Sequence, residues 1–144
     1  MKALILTTIT VVFGVLSGSV SGEQSVSDES IRRLLVGTWG IAIQGAEYSV
    51  YGETQYRKDG SRSGRGIILS NETEERTSFE GTWHVEDGYL ISETTSSPNP
   101  EYFPYPKTYR DKIEKISAEE LVLIHSDGDR STRHKVSEPL LIPE

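Results

Sequence analysis

The sequence predicts an all-β protein, an eight-stranded antiparallel up-and-down barrel preceded by a short helix. Three observations carry that expectation. Gly37-Thr38-Trp39 opens one alternating run, and the same tripeptide returns as Gly81-Thr82-Trp83 inside another. Tight-turn signals at Asp59-Gly60, Asp87-Gly88 and Asp127-Gly128-Asp129 punctuate a series of short alternating segments. No long helical period separates those segments, so sequence neighbours pair and the ribbon can close, leaving no exposed edge. In each Gly-Thr-Trp the glycine admits close backbone. The tryptophan two residues on lies on the same strand face and plugs the narrow interior with a large apolar body.

The ends divide the chain. Lys2, the apolar stretch Ala3 to Leu16 and the small residues Ser17 to Gly22 read as a signal peptide, residues 1–22, with cleavage expected after Ser21 or Gly22. Residues 23–144 then form one barrel domain. The leader's apolar run is shorter than the roughly 20 residues that span a bilayer, and no later run approaches that length. The expected location is the periplasm or the medium, as a soluble, non-spanning monomer. The chain has no cysteine, which leaves no disulfide and no acyl-anchor residue. Packing and main-chain pairing must hold it together. Its net charge is −7, one unit more negative once Lys2 is gone, and such a surface repels phosphates, so nucleic acid is excluded as a main partner. The cationic cluster Arg57-Lys58 with Arg62 and Arg65 surrounds a hairpin turn and reads as solvated loop charge.

Taken in order, Ser27-Asp28-Glu29 can cap a helix whose Ile31, Leu34 and Leu35 fall on one face and close a barrel end. Strand one carries Trp39, Ile41 and Ile43 on one side and stops near Gly45. Strand two runs from Glu47 to Lys58, and strand three passes through Ile67, Ile68 and Leu69. Strand four alternates Phe79, Gly81, Trp83 and Val85 against Glu80, Thr82, His84 and Glu86, one side core and the other wet. Strand five covers Tyr89 to Ser96. Pro98, Pro100, Pro104 and Pro106 make the following segment a loop. Strands six, seven and eight cover Lys107 to Ile116, Leu121 to Ser126 and Arg130 to Val136. Leu121-Val122-Leu123-Ile124 is apolar on both faces and needs an outer cover, for which Pro139-Leu140-Leu141-Ile142-Pro143 is the candidate.

These residues resemble a small exported lipocalin-like domain of the calycin-type barrel superfamily. Gly37-Thr38-Trp39 after a short helix is similar to the Gly-x-Trp opening of lipocalins. The hairpin Gly81 to Leu90 and the ending Glu120 to Arg133 resemble recurring hairpins of small exported relatives. The resemblance implies that Trp39 packs beneath an arginine of the last strand, Arg133 or, as a substitute, Arg130, in a cation–π contact. Gly37, Trp39, Gly81, Trp83 and Arg133 are the structural motif it suggests. The chain departs from the larger lipocalins in having Ser117-Ala118-Glu119-Glu120 where they carry Thr-Asp-Tyr, and in having no helical pattern after strand eight.

An eight-stranded barrel is either filled by its own side chains or hollow enough for one small ligand. With Thr54 and Tyr56 inward on strand two, and Tyr109, Asp111, His125 and Arg133 inward on later strands, the interior suits a ligand with an apolar body and one polar end; a one-residue register shift turns the opposite faces inward. Thr54, Tyr56, Phe103, Tyr109 and His125 are the ligand-binding candidates. Tyr102, Phe103 and Tyr105 form a plug at the barrel end, or alternatively a lid or a protein anchor. His84-Val85-Glu86, the nearest approach to metal-ligand spacing, lies on the wet face and reads as solvated; Asp127-Gly128-Asp129 is explained by its turn. No metal or cofactor is expected. Gly-x-Ser-x-Gly, Ser-x-x-Lys and cysteine nucleophiles are all missing, Gly60 to Gly66 lacks the ending of a phosphate loop, and Asn71-Glu72-Thr73 matters only in a eukaryotic secretory route. The expected function is therefore non-enzymatic binding of a small apolar or amphipathic molecule in the barrel. The alternative is an interaction module, such as an inhibitor or accessory factor of an envelope enzyme.

Overall fold

Helix α1 (Asp28–Leu35) leads into the barrel, its first turn capped by Ser27, whose hydroxyl accepts from the Ser30 amide. The computed structural model describes residues 26–138; the leader 1–22 and the tail cover from Pro139 to Pro143 lie outside the described residues. Ile31 and Leu35 are buried, as their spacing requires, and Leu34 is half-buried. The Asp28 carboxylate accepts from the amides of Asp87 (2.8 Å) and Gly88 (2.9 Å), tying the helix start to a hairpin nearly sixty residues away.

Eight strands follow: β1 (Gly37–Gln44), β2 (Tyr48–Tyr56), β3 (Ser61–Ser70), β4 (Glu74–Glu86), β5 (Tyr89–Ser96), β6 (Lys107–Ile116), β7 (Glu120–Ile124) and β8 (Arg130–Val136). Each pairs antiparallel with the next, and β1 pairs with β8 through Thr38↔Val136, Trp39↔Lys135 and Gly40↔His134, so the sheet is a closed up-and-down barrel. The turns are those the sequence signals. Asp87 and Gly88 both take positive φ (52° and 75°), the two-residue geometry that matches strand twist, and Gly60 and Gly128 take φ of 87° and 91°. Strand β7 ends at Ile124 rather than Ser126 because His125 already belongs to the turn, its amide donating to the Asp129 carbonyl. Strand β2 likewise ends at Tyr56, leaving Arg57 and Lys58 in the hairpin.

Alternating direction puts α1 and the β2–β3, β4–β5 and β6–β7 turns at one end, and the β1–β2, β3–β4 and β7–β8 turns with the long β5–β6 loop at the other. The helix end is solid. Ile31, Leu35, Trp39, Tyr56, Trp83, Leu90, Leu121 and Leu123 form one buried cluster there. Each indole finds an acceptor: Trp39 Nε1 donates to the Leu35 carbonyl at 2.8 Å and Trp83 Nε1 to the Arg57 carbonyl at 3.0 Å. Full burial of one indole, about 200 Å² at about 25 cal/mol per Å², contributes about 5 kcal/mol before the entropy of ordering it. Val122, on the outer face of β7, is buried as well, matching the two-sided apolar pattern of that strand.

The cation over Trp39 is Lys135, 4.5 Å from the ring centroid, not Arg133 or Arg130. Register decides this. Trp39 stands opposite Lys135, whereas Arg133 is two residues farther along the same inward face and ends in the barrel interior; Arg130 points outward to Glu114. Lys135 Nζ also donates to the carbonyls of Val36 (2.6 Å) and Leu34 (2.9 Å), capping the helix exit. Gly37, at φ 129°, makes room for it, because a Cβ there would sit 2.7 Å from Lys135 Cε. At Gly81 a Cβ would run into the Glu93 carbonyl oxygen, at the register slip between Glu80 and Gly81 that bends β4.

Candidate functional site

Beyond the filled end, the interior opens into a cavity of about 340 Å³. Its size lies at the lower end of the range for small-molecule sites. The candidates Thr54, Tyr56, Phe103, Tyr109 and His125 all line it, together with Asp111 and Arg133. The inward register of β2, β6 and β8 brings them together from strands far apart in sequence.

One wall is apolar. Ile41, Val50, Phe79 and Phe103 face the space, with the Phe79 and Phe103 rings 4.8 Å apart at 47°. Phe103 comes from the β5–β6 loop, which is fastened to β4. Asn99 accepts from the Ser78 amide, Ser97 donates to the Ser78 carbonyl, and the Tyr102 hydroxyl donates to Glu75 at 2.6 Å. That last bond holds the Tyr102 phenol above its ordinary pKa range. Tyr102 and Tyr105 remain 43% and 47% exposed at the cavity end of the barrel.

Charged side chains line the same cavity. Arg62 is only 6% exposed; Nη2 donates to Thr94 Oγ1 at 3.0 Å, Nε to the Glu93 carbonyl at 3.5 Å, and its guanidinium lies 4.7 Å from the Phe79 centroid. Its assignment to solvated hairpin charge is therefore corrected: β3 begins at Ser61, and alternation turns Arg62 inward with Gly64 and Gly66. Burial above all pulls its pKa down, and the charge of Arg133 adds to this, while Tyr56, Tyr109 and Asp111 oppose it. Arg133 Nη1 donates to the Tyr56 hydroxyl at a long 3.5 Å, and its Nε is buried with no partner among the described residues. At the start of β6, Lys107 is exposed, with its ammonium 5.1 Å from the Tyr109 centroid.

Asp111 Oδ1 lies 2.8 Å from His125 Nδ1, and His125 Nε2 lies 2.8 Å from Ser131 Oγ. With Nδ1–H donating to the carboxylate, Nε2 accepts from the serine hydroxyl. The connectivity is that of a serine nucleophile relay, but Asp111 and His125 line the cavity and Ser131 does not. The chain thus orients an imidazole toward the cavity. The sequence reading missed Ser131, whose period-two spacing from Arg133 was the available signal.

A shallower polar groove of about 400 Å³ lies on the sheet's outside over β1 to β4, lined by Thr38, Glu53, Gln55, Ser63, Arg65 and Glu80 among others. Arg65 Nη2 pairs with Glu53 Oε2 there at 3.3 Å. His84 is exposed, and among the described residues no three His, Cys, Asp or Glu side chains are grouped to hold a metal. No helix among the described residues is long and apolar enough to cross a membrane. No family model and no curated protein matches the chain.

Proposed function

We propose that this protein is an exported, lipocalin-like binding protein that takes a small amphipathic molecule into its barrel and does not transform it. The observation that carries the reading is the cavity of about 340 Å³ at one end of a barrel whose other end is packed solid. Apolar and charged groups lining one cavity supply burial energy and orientation to a ligand with two unlike ends. Non-catalytic binding is favoured because the Asp111–His125–Ser131 array keeps its serine off the cavity surface. Native mass spectrometry of the protein purified from its host tests this: a copurifying compound is expected in wild type and is expected to be lost in Ser92→Phe, which puts a large ring into the cavity wall. An intact, folded wild type that carries no compound and takes up no amphiphile on titration would sink the reading.

A second reading, an interaction module for an envelope protein, is favoured by the exposed apolar rim. Ile43, Tyr48, Leu69, Tyr102 and Tyr105 are all exposed and all belong to the cavity end. Replacing Tyr102, Phe103 and Tyr105 by serine separates the two functions: lost capture of a protein partner with unchanged ligand content supports the second.

A further inference from the structure

We infer that the ligand presents a single negative charge, of carboxylate type, to Arg62 and Arg133. The inference deepens the ligand-binding reading and rests on it. Its basis is a mismatch of charges inside the barrel. Arg62 is more than nine-tenths buried and lines the cavity, yet its hydrogen bonds go to a neutral hydroxyl and a neutral carbonyl. Arg133 has one long bond to a phenol and a buried Nε with no acceptor. Among the described residues neither guanidinium is ion-paired.

A buried cation without a counter-ion is costly, and an orphaned N–H adds to that cost, so such groups persist where something supplies the missing acceptor. The carboxylates at hand are engaged elsewhere. Asp111 is held by His125 and Glu53 by Arg65. Among the charged side chains that turn into the cavity, Arg62 and Arg133 outnumber Asp111 by one, so one anionic head group brings the site to neutrality. A guanidinium offers parallel N–H donors that suit the two oxygens of a carboxylate. The Tyr56 hydroxyl beside Arg133 adds a neutral contact. The apolar part of the molecule then lies along Phe79, Phe103, Ile41 and Val50 beneath the loop. Lys107 at the mouth favours approach of an anion to a protein whose net charge is otherwise negative.

The test is calorimetric titration of the full mature chain with three ligands of equal chain length: decanoate, decanol and decyltrimethylammonium. Decanoate is expected to bind at least tenfold more tightly than decanol, with the ammonium weakest. Arg133→Met is expected to remove most of that tenfold advantage, read as the ratio of decanoate to decanol affinity. Arg62→Met is expected to do the same if it folds, and Arg133→Met keeps the test decisive if it does not. Equal affinity for decanoate and decanol, or an undiminished preference in Arg133→Met, would overturn the anionic assignment and leave the binding reading standing. Failure of all three to bind would overturn both.

Discussion

Lys135 shows how much one side chain can do in a small barrel. Its ammonium caps two carbonyls at the helix exit and sits over the Trp39 ring, and its stem occupies the space that Gly37 leaves open. Lys135→Met keeps the stem and removes the rest, and is expected to destabilise the fold by about 2 kcal/mol, read as a lower urea midpoint with unchanged slope. A second residue with a readable consequence is Asp59, whose carboxylate accepts from the Ser61 hydroxyl and amide. Those bonds, the hydroxyl's first, hold its pKa below the ordinary aspartate value. A folded-state pKa below the unfolded one means that Asp59 adds stability above about pH 4 and loses it as the pH falls through the folded value. The stability difference between wild type and Asp59→Asn is therefore expected to be constant from pH 5 to 7 and to shrink at more acidic pH, measured by urea melts.

Among the elements, the β5–β6 loop contributes Tyr102 and Phe103 to the cavity lining. It is proline-stiffened and fastened to β4 at Ser78 and at Glu75, and it delivers Phe103 over the apolar wall. Tyr102→Phe removes an exposed latch and is expected to leave stability within about 0.5 kcal/mol of wild type. Under the binding reading it is also expected to raise the ligand dissociation rate several-fold, measured by stopped-flow displacement. An unchanged rate would mean that the loop does not gate the mouth. At the other end α1 acts as a stopper, held by Asp28 on the β4–β5 hairpin and by Ile31 and Leu35 in the core. Asp28→Ala is expected to destabilise the protein by about 1 kcal/mol, because two turn amides lose their acceptor.

At the scale of the whole molecule, closure gives a cysteine-free domain its stability: every strand has two neighbours, so no edge remains to template aggregation. The polarity is inverted relative to the surface. The chain as a whole is acidic, while its cavity carries an excess of guanidinium. Export is the remaining whole-chain expectation; N-terminal sequencing of the protein recovered from the periplasm or medium is expected to begin at Gly22 or Glu23, and an uncleaved cytoplasmic product would refute it.

The barrel was legible in the sequence because its signals are local. Period-two alternation in β4, the positive-φ turn residues and the proline-rich loop each report backbone geometry a few residues wide, and the strand boundaries of β5, β6 and β8 follow directly from them. Alternation alone left the facing of Thr54, Tyr56, Tyr109 and His125 open to a one-residue shift, and strand pairing with barrel closure set it. Which cation meets Trp39, where Arg62 ends up, and which of Asp111, His125 and Ser131 touch one another were decided only by tertiary structure. Those outcomes depend on register between strands distant in the chain and on how a twisted sheet closes, and a shift of two residues along one face exchanges Arg133 for Lys135 without changing any local pattern.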